Sequence, residues 1–144
     1  MKILCVWKIW LKKFSMHKKF LSLGALLGMI AISLGAFGAH GLTHVVSPAD
    51  VIVFQTGVQY QMYHTLALML VGIVYDRLPN KWVVLAGYLF SLGVLFFSGS
   101  LYLITALKAS ARAVPAAVGI LTPVGGLLFI AGWLCLLFGL FKRN

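Results

Sequence analysis

The chain has 144 residues, 62% of them apolar and 10% charged, whereas a soluble domain carries roughly a quarter charged residues. This composition excludes an ordinary soluble enzyme or binding module and makes lipid the natural solvent. The formal charge of +10 would suggest nucleic acid in a soluble protein, but six of the twelve basic residues (Lys2, Lys8, Lys12, Lys13, Lys18 and Lys19) precede the first apolar run. The expected partners are therefore the bilayer and its anionic headgroups, with no nucleic acid.

Residues 1–17 form a basic tail, and residues 18–144 form a single membrane domain with room for four spans of roughly 20 residues. Within the tail, Ile3, Leu4, Val6, Trp7, Trp10, Leu11 and Phe14 fall on one helical face, and Lys2, Lys8, Lys12 and Lys13 lie opposite. That pattern predicts an interfacial helix on the inner leaflet. A start at Met16, leaving the tail upstream of the true N-terminus, is the competing reading.

The first apolar segment, Phe20 to Ala39, closes on Gly35-Ala36-Phe37-Gly38-Ala39-His40-Gly41-Leu42. Small residues that dense are unnecessary in a simple anchor; they let another helix approach closely. Lysines followed by an apolar run also imitate a signal peptide, but the run is longer than the usual core of one, which favours a retained span. After a connection without Lys or Arg, Ser47-Pro48-Ala49-Asp50 reads as a helix start, with Ser47 as N-cap, Pro48 at N1 and Asp50 near the positive helix end.

The second span ends near Tyr75 and contains Gln55-Thr56-Gly57-Val58-Gln59-Tyr60-Gln61-Met62-Tyr63-His64-Thr65. Gln55, Gln59 and Tyr63 form one helical row and Thr56, Tyr60 and His64 the next. Both rows are expected to face the bundle interior or a watery cavity, since acyl chains cannot satisfy them. The third segment runs from Trp82 to Leu107 and the fourth from Val118 to Phe141, with Pro123 and Gly125-Gly126 expected to break or kink its outer end. Gly24 with Gly28, Gly87 with Ser91, and Cys135 with Gly139 add small-residue packing steps.

Basic residues set the orientation. With both termini in the cytoplasm, the inner side holds the six lysines that precede the first span plus Arg77, Lys81, Lys142 and Arg143, and the outer side only Lys108 and Arg112. The fold class is thus all-α, a polytopic four-transmembrane-helix bundle, N-in/C-in, in the cytoplasmic membrane.

Alternating helix directions bring His40, Gln59, Tyr60, His64, Ser98, Ser100 and Thr122 to similar depth as a polar interior site opening outward. Two functions follow. His64 either hydrogen-bonds in neutral form and locks the bundle of a structural or interaction protein, within a homo-oligomer or larger membrane assembly, or it titrates in a small-solute or proton carrier that also uses Tyr60 and His40. Catalysis is not expected, because two acidic residues cannot complete a nucleophile, base and oxyanion set. No cofactor is implied. The His40 and His44 spacing would suit a metal only on one continuous helix, which Gly41 interrupts, and Cys5 and Cys135 lie too far apart for a metal motif.

At these residues the chain resembles the YgdD-like inner-membrane proteins, through GAFGAHGL (residues 35–42), YQMYH (60–64), FFSGSLY (96–102) and LTPVGG (121–126). The resemblance implies a small four-span fold from about Met16 to Phe141 and no assigned activity. The first 15 residues depart from its pattern.

Overall fold

The computed structural model describes residues 2–142, with side chains from Lys18 to Lys142; the faces expected of the tail lie outside the described side chains. Every regular element among the described residues is helical. Helix α1 covers Lys2–His40, and a 3-10 turn at Leu42–His44 leads to α2, Pro48–Arg77. A third rod combines α3, Lys81–Gly93, a π-helical stretch, Val94–Ser98, and α4, Gly99–Ala109. Helix α5, Ala116–Phe141, completes the chain.

Three stretches are long and apolar enough to cross a membrane: Lys18–His44, Lys81–Ala109 and Ala116–Phe141. Helix α2 is long enough, but its run from Gln55 to Thr65 dilutes its apolar content.

Local chemistry fixes the ends. Ser47 Oγ accepts from the Asp50 backbone N–H at 3.2 Å and donates to Asp50 Oδ2 at 2.7 Å, so α2 begins with a reciprocal cap and Pro48 directly after it. Asn80 starts α3, its Oδ1 accepting from the N–H groups of Trp82 and Val83 at 3.0 and 3.2 Å. The same side chain donates through Nδ2 to the Gly139 carbonyl at 3.0 Å, tying this loop to the end of α5. Of the two expected effects of Pro123, a break does not occur: α5 runs through it without interruption. Losing one backbone donor is tolerable in so long an element.

The centre of the molecule is α2 beside the α3–α4 rod, with α1 packed on α2 and α5 on the rod. Helices α1 and α2 register antiparallel: Gly38 meets Phe54 and Gln55, Gly35 meets Val58, Gly28 meets Thr65 and Gly24 meets Met69. Along α5, Gly125, Gly132 and Gly139 recur every seven residues and meet Phe97, Phe90 and Val83. That repeat keeps one face on its neighbour through the length of the helix. Phe20, Leu68, Val71, Val83, Phe90, Phe129 and Leu136 fill the core between these surfaces.

Where α2 begins, Lys108 Nζ donates to Asp50 Oδ1, joining α4 to the start of α2. The Lys108 ammonium, and then the Ser47 hydroxyl, hold the Asp50 carboxyl below the usual carboxylate range.

Two predictions follow from the packing and the ion pair. A methyl added at Gly125 would strike the Phe97 backbone, whereas one at Gly99 or Gly119 meets nothing within 4 Å. In detergent melts, Gly125→Ala should therefore lose about 1–3 kcal/mol to overpacking, while Gly99→Ala and Gly119→Ala gain up to about 1 kcal/mol of helix propensity.

A depressed carboxyl contributes stability that is present above its unfolded value and lost as pH falls through its folded value. The melting temperature should accordingly fall through a distinct acid limb below about pH 4. In Asp50→Asn that limb should shrink. An identical acid limb in both proteins would show that the ion pair contributes nothing to folding.

Candidate functional site

His64 projects from the middle of α2 and is 6% exposed. Its ring lies flat on Phe129, with centroids 3.4 Å apart and planes 8° apart, and Phe90 packs at 5.6 Å. Nδ1 lies 2.9 Å from the Tyr60 carbonyl. A carbonyl can only accept, so Nδ1 carries the hydrogen. Trp133 Nε1 lies 3.3 Å from His64 Nε2. An indole N–H can only donate, so Nε2 is the acceptor. Both partners thus require the neutral ring, and neither nitrogen is left for water, a metal or a substrate.

One turn earlier, Gln61 is 3% exposed and joins three helices. Its Nε2 donates to the Leu27 carbonyl of α1 at 2.8 Å, and its Oε1 accepts from the Tyr102 hydroxyl of α4 at 2.9 Å. Gln55 makes a weaker bond to α1, from Nε2 to the Gly35 carbonyl at 3.3 Å. The glycine-lined face of α1 lets these short amides reach its backbone.

The other expected site residues divide into separate groups. Ser100 and Thr122 join α4 to α5 through hydroxyls 2.7 Å apart, and Ser100 also donates to the Phe97 carbonyl at 2.8 Å. Tyr60 stacks near His64, with ring planes 16° apart, and packs on Phe97. Ser98, at the end of the π stretch, is fully buried with no partner for its hydroxyl among the described residues.

Gln59 is exposed and donates to the Tyr63 hydroxyl at 2.7 Å on the outer side of α2. Its direction follows from helix geometry, because two residues rotate about 200° and Gln61 already points inward. His40 is exposed where α1 ends, and exposed His44 belongs to the 3-10 turn, so the two histidines share no helix. Among the described residues no three His, Cys, Asp or Glu side chains gather as a metal set.

The family model described as "Protein of unknown function (DUF423)" matches residues 34–126, a stretch that contains His64, Gln61 and Tyr102 but not Trp133. The chain belongs to the DUF423 family. It is 45% identical over 127 residues to a UPF0382 membrane protein of Staphylococcus haemolyticus, covering 87% of this chain and 97% of that one. A UPF0382 membrane protein of Haemophilus influenzae is 42% identical over 129 residues, covering 90% and 98%, and YwdK of Bacillus subtilis is 42% identical over 118 residues, covering 81% and 91%. No solved structure matches the chain. This DUF423 protein is accordingly a membrane protein of a bacterial family to which no biochemical role is assigned.

Gln61, Tyr102, Asn80 and Trp133 are the polar contacts that the sequence reading missed. Gln61 could have been found, since Phe54, Gly57, Gln61, His64, Leu68 and Val71 recur at alternating steps of three and four, which puts Gln61 on the same buried face as His64. Nothing local marks Trp133, whose role depends on α5 lying across from α2.

A double-mutant cycle with Gln61→Leu and Tyr102→Phe should measure a coupling of about 0.6 kcal/mol, and at most about 1.7 kcal/mol, in detergent unfolding, the average and upper value for hydrogen bonds between membrane helices. Additive effects would mean that the Gln61–Tyr102 bond does not hold α2 to α4.

Proposed function

We propose that the chain is a four-span membrane protein with both termini in the cytoplasm, acting as a structural or interaction component of that membrane. The observation that carries the functional half is the double engagement of the His64 ring by the Tyr60 carbonyl and the Trp133 indole. A carrier residue must gain and lose protons or ligands; protonating His64 would first require breaking the Trp133 bond.

The 30 residues of α2 extend about 45 Å, more than the hydrocarbon thickness. Its register against α1, from Gly38 and Phe54 to Gly24 and Met69, supports a fourth crossing at the same depth. Basic residues support the orientation, with Lys108 and Arg112 alone on the outer side. We read the lysine-rich tail as contacting anionic headgroups, and the motifs GAFGAHGL and LTPVGG as support for a YgdD-like identity within the family.

Purified protein in proteoliposomes under an imposed pH gradient should give no proton flux above empty vesicles, for the wild type and His64→Gln alike. Flux that is present in the wild type and lost in His64→Gln would overturn the structural reading. A reporter fused after Asn144 should be active only in a form that works in the cytoplasm; activity restricted to the outside would reverse the topology.

A further inference from the structure

We propose that the outward face of α2 pairs with α2 of a second copy of this chain, with Gln59 meeting its own counterpart across a two-fold axis parallel to the membrane normal. The proposal rests on α2 crossing the membrane.

Thr56, Gln59, Tyr63, Leu66, Leu70 and Ile73 follow one another at alternating steps of three and four residues. All but the half-buried Thr56 are exposed. Such a 3.5-residue period is the seam along which two helices wrap with a left-handed crossing.

Depth distinguishes this face from the others. If the hydrocarbon begins near Gln55, Gln59 lies about 6 Å inside it and Tyr63 about 12 Å inside. The exposed residues Met29 and Ile32 on α1, and Leu127, Ile130 and Leu134 on α5, are apolar and need only acyl chains. Gln59 needs more. Its Nε2 uses one hydrogen on Tyr63, and its carbonyl oxygen has no partner among the described residues.

Lipid tails have no donor to offer that oxygen, whereas a primary amide carries both donor and acceptor and so complements itself. A two-fold axis along the membrane normal brings identical residues together at identical depth. It therefore satisfies both amides at once. A polar amide within a helix seam also sets the register of the pair, which is its common use in helix dimers.

The test uses the full chain in native membranes, with Cys5→Ser and Cys135→Ala removing the natural thiols. Leu66→Cys and Leu70→Cys should form disulfide-linked dimers on oxidation several-fold more readily than Ile32→Cys on α1 or Leu127→Cys on α5. In liposomes, Gln59→Leu should weaken dimerisation by about three- to tenfold, the range expected for losing a hydrogen bond between membrane helices. Equal cross-linking at all four positions, none at any, or undiminished dimerisation in Gln59→Leu would overturn the proposal.

Ser47→Cys and Asp76→Cys separate this outcome from failure of the underlying topology. Labelled with a membrane-impermeant thiol reagent, they should react from opposite sides. If they do and the seam still fails to cross-link, the pairing is wrong while the span stands; if both react from one side, α2 does not cross and the pairing falls with it.

Discussion

The arrangement of the helices around α2 depends on how its inward-facing amides are satisfied, because a side-chain amide buried away from water must find its partners within the protein. Gln61 reaches the Leu27 carbonyl on one side and the Tyr102 hydroxyl on the other. Both contacts require backbones close enough for a side chain of three torsions to bridge. On the α1 side Gly28, next to Leu27, provides that approach, since a Cβ there would lie 3.3 Å from Thr65 Cγ2 of α2. On the α4 side Gly57 does the same, packed beneath the Tyr102 ring. Small residues and amides thus form one device, in which close packing permits the bond and the bond fixes the packing.

The histidine belongs to a second device, built from aromatic rings. Phe90 and Phe129 come from different helices, and each lies over a glycine of the other's helix, Gly132 beneath Phe90 and Gly93 beneath Phe129. His64 enters this stack from α2 and is oriented by two partners of fixed polarity. An ionisable residue at membrane depth ordinarily suggests a pathway. Here its nitrogens are used up by a carbonyl and an indole, and its face by a phenyl ring, so the polar atoms act as connectors between helices.

Much of this was legible in the sequence. Apolar run lengths gave the helices, Ser47-Pro48-Ala49-Asp50 gave the start of α2, and the spacing of small residues gave the close face of α1. What escaped was direction. Gln55, Gln59 and Tyr63 form one row on a helical wheel, yet the fold divides it: Gln55 reaches the Gly35 carbonyl of α1, whereas Gln59 and Tyr63 bond to each other on the exposed side. With Gln61 inward, the rotation of the helix turns Gln59 outward, and the expected single vestibule becomes several small contacts. Partner identity escaped for a different reason: Trp133 and Tyr102 lie 69 and 41 residues from the groups they bind, and no local pattern encodes such pairs.

Helix α2 is consequently polar on two sides of its circumference. An ordinary membrane helix at the edge of a bundle keeps its polar groups on one side and presents the other to lipid. The inward side of α2 is answered within the chain by α1, α4 and α5. Its outward side carries an amide and a phenol that bond to each other and leave the amide oxygen over. If α2 pairs as proposed, protein on both flanks accounts for its shortfall in apolar character.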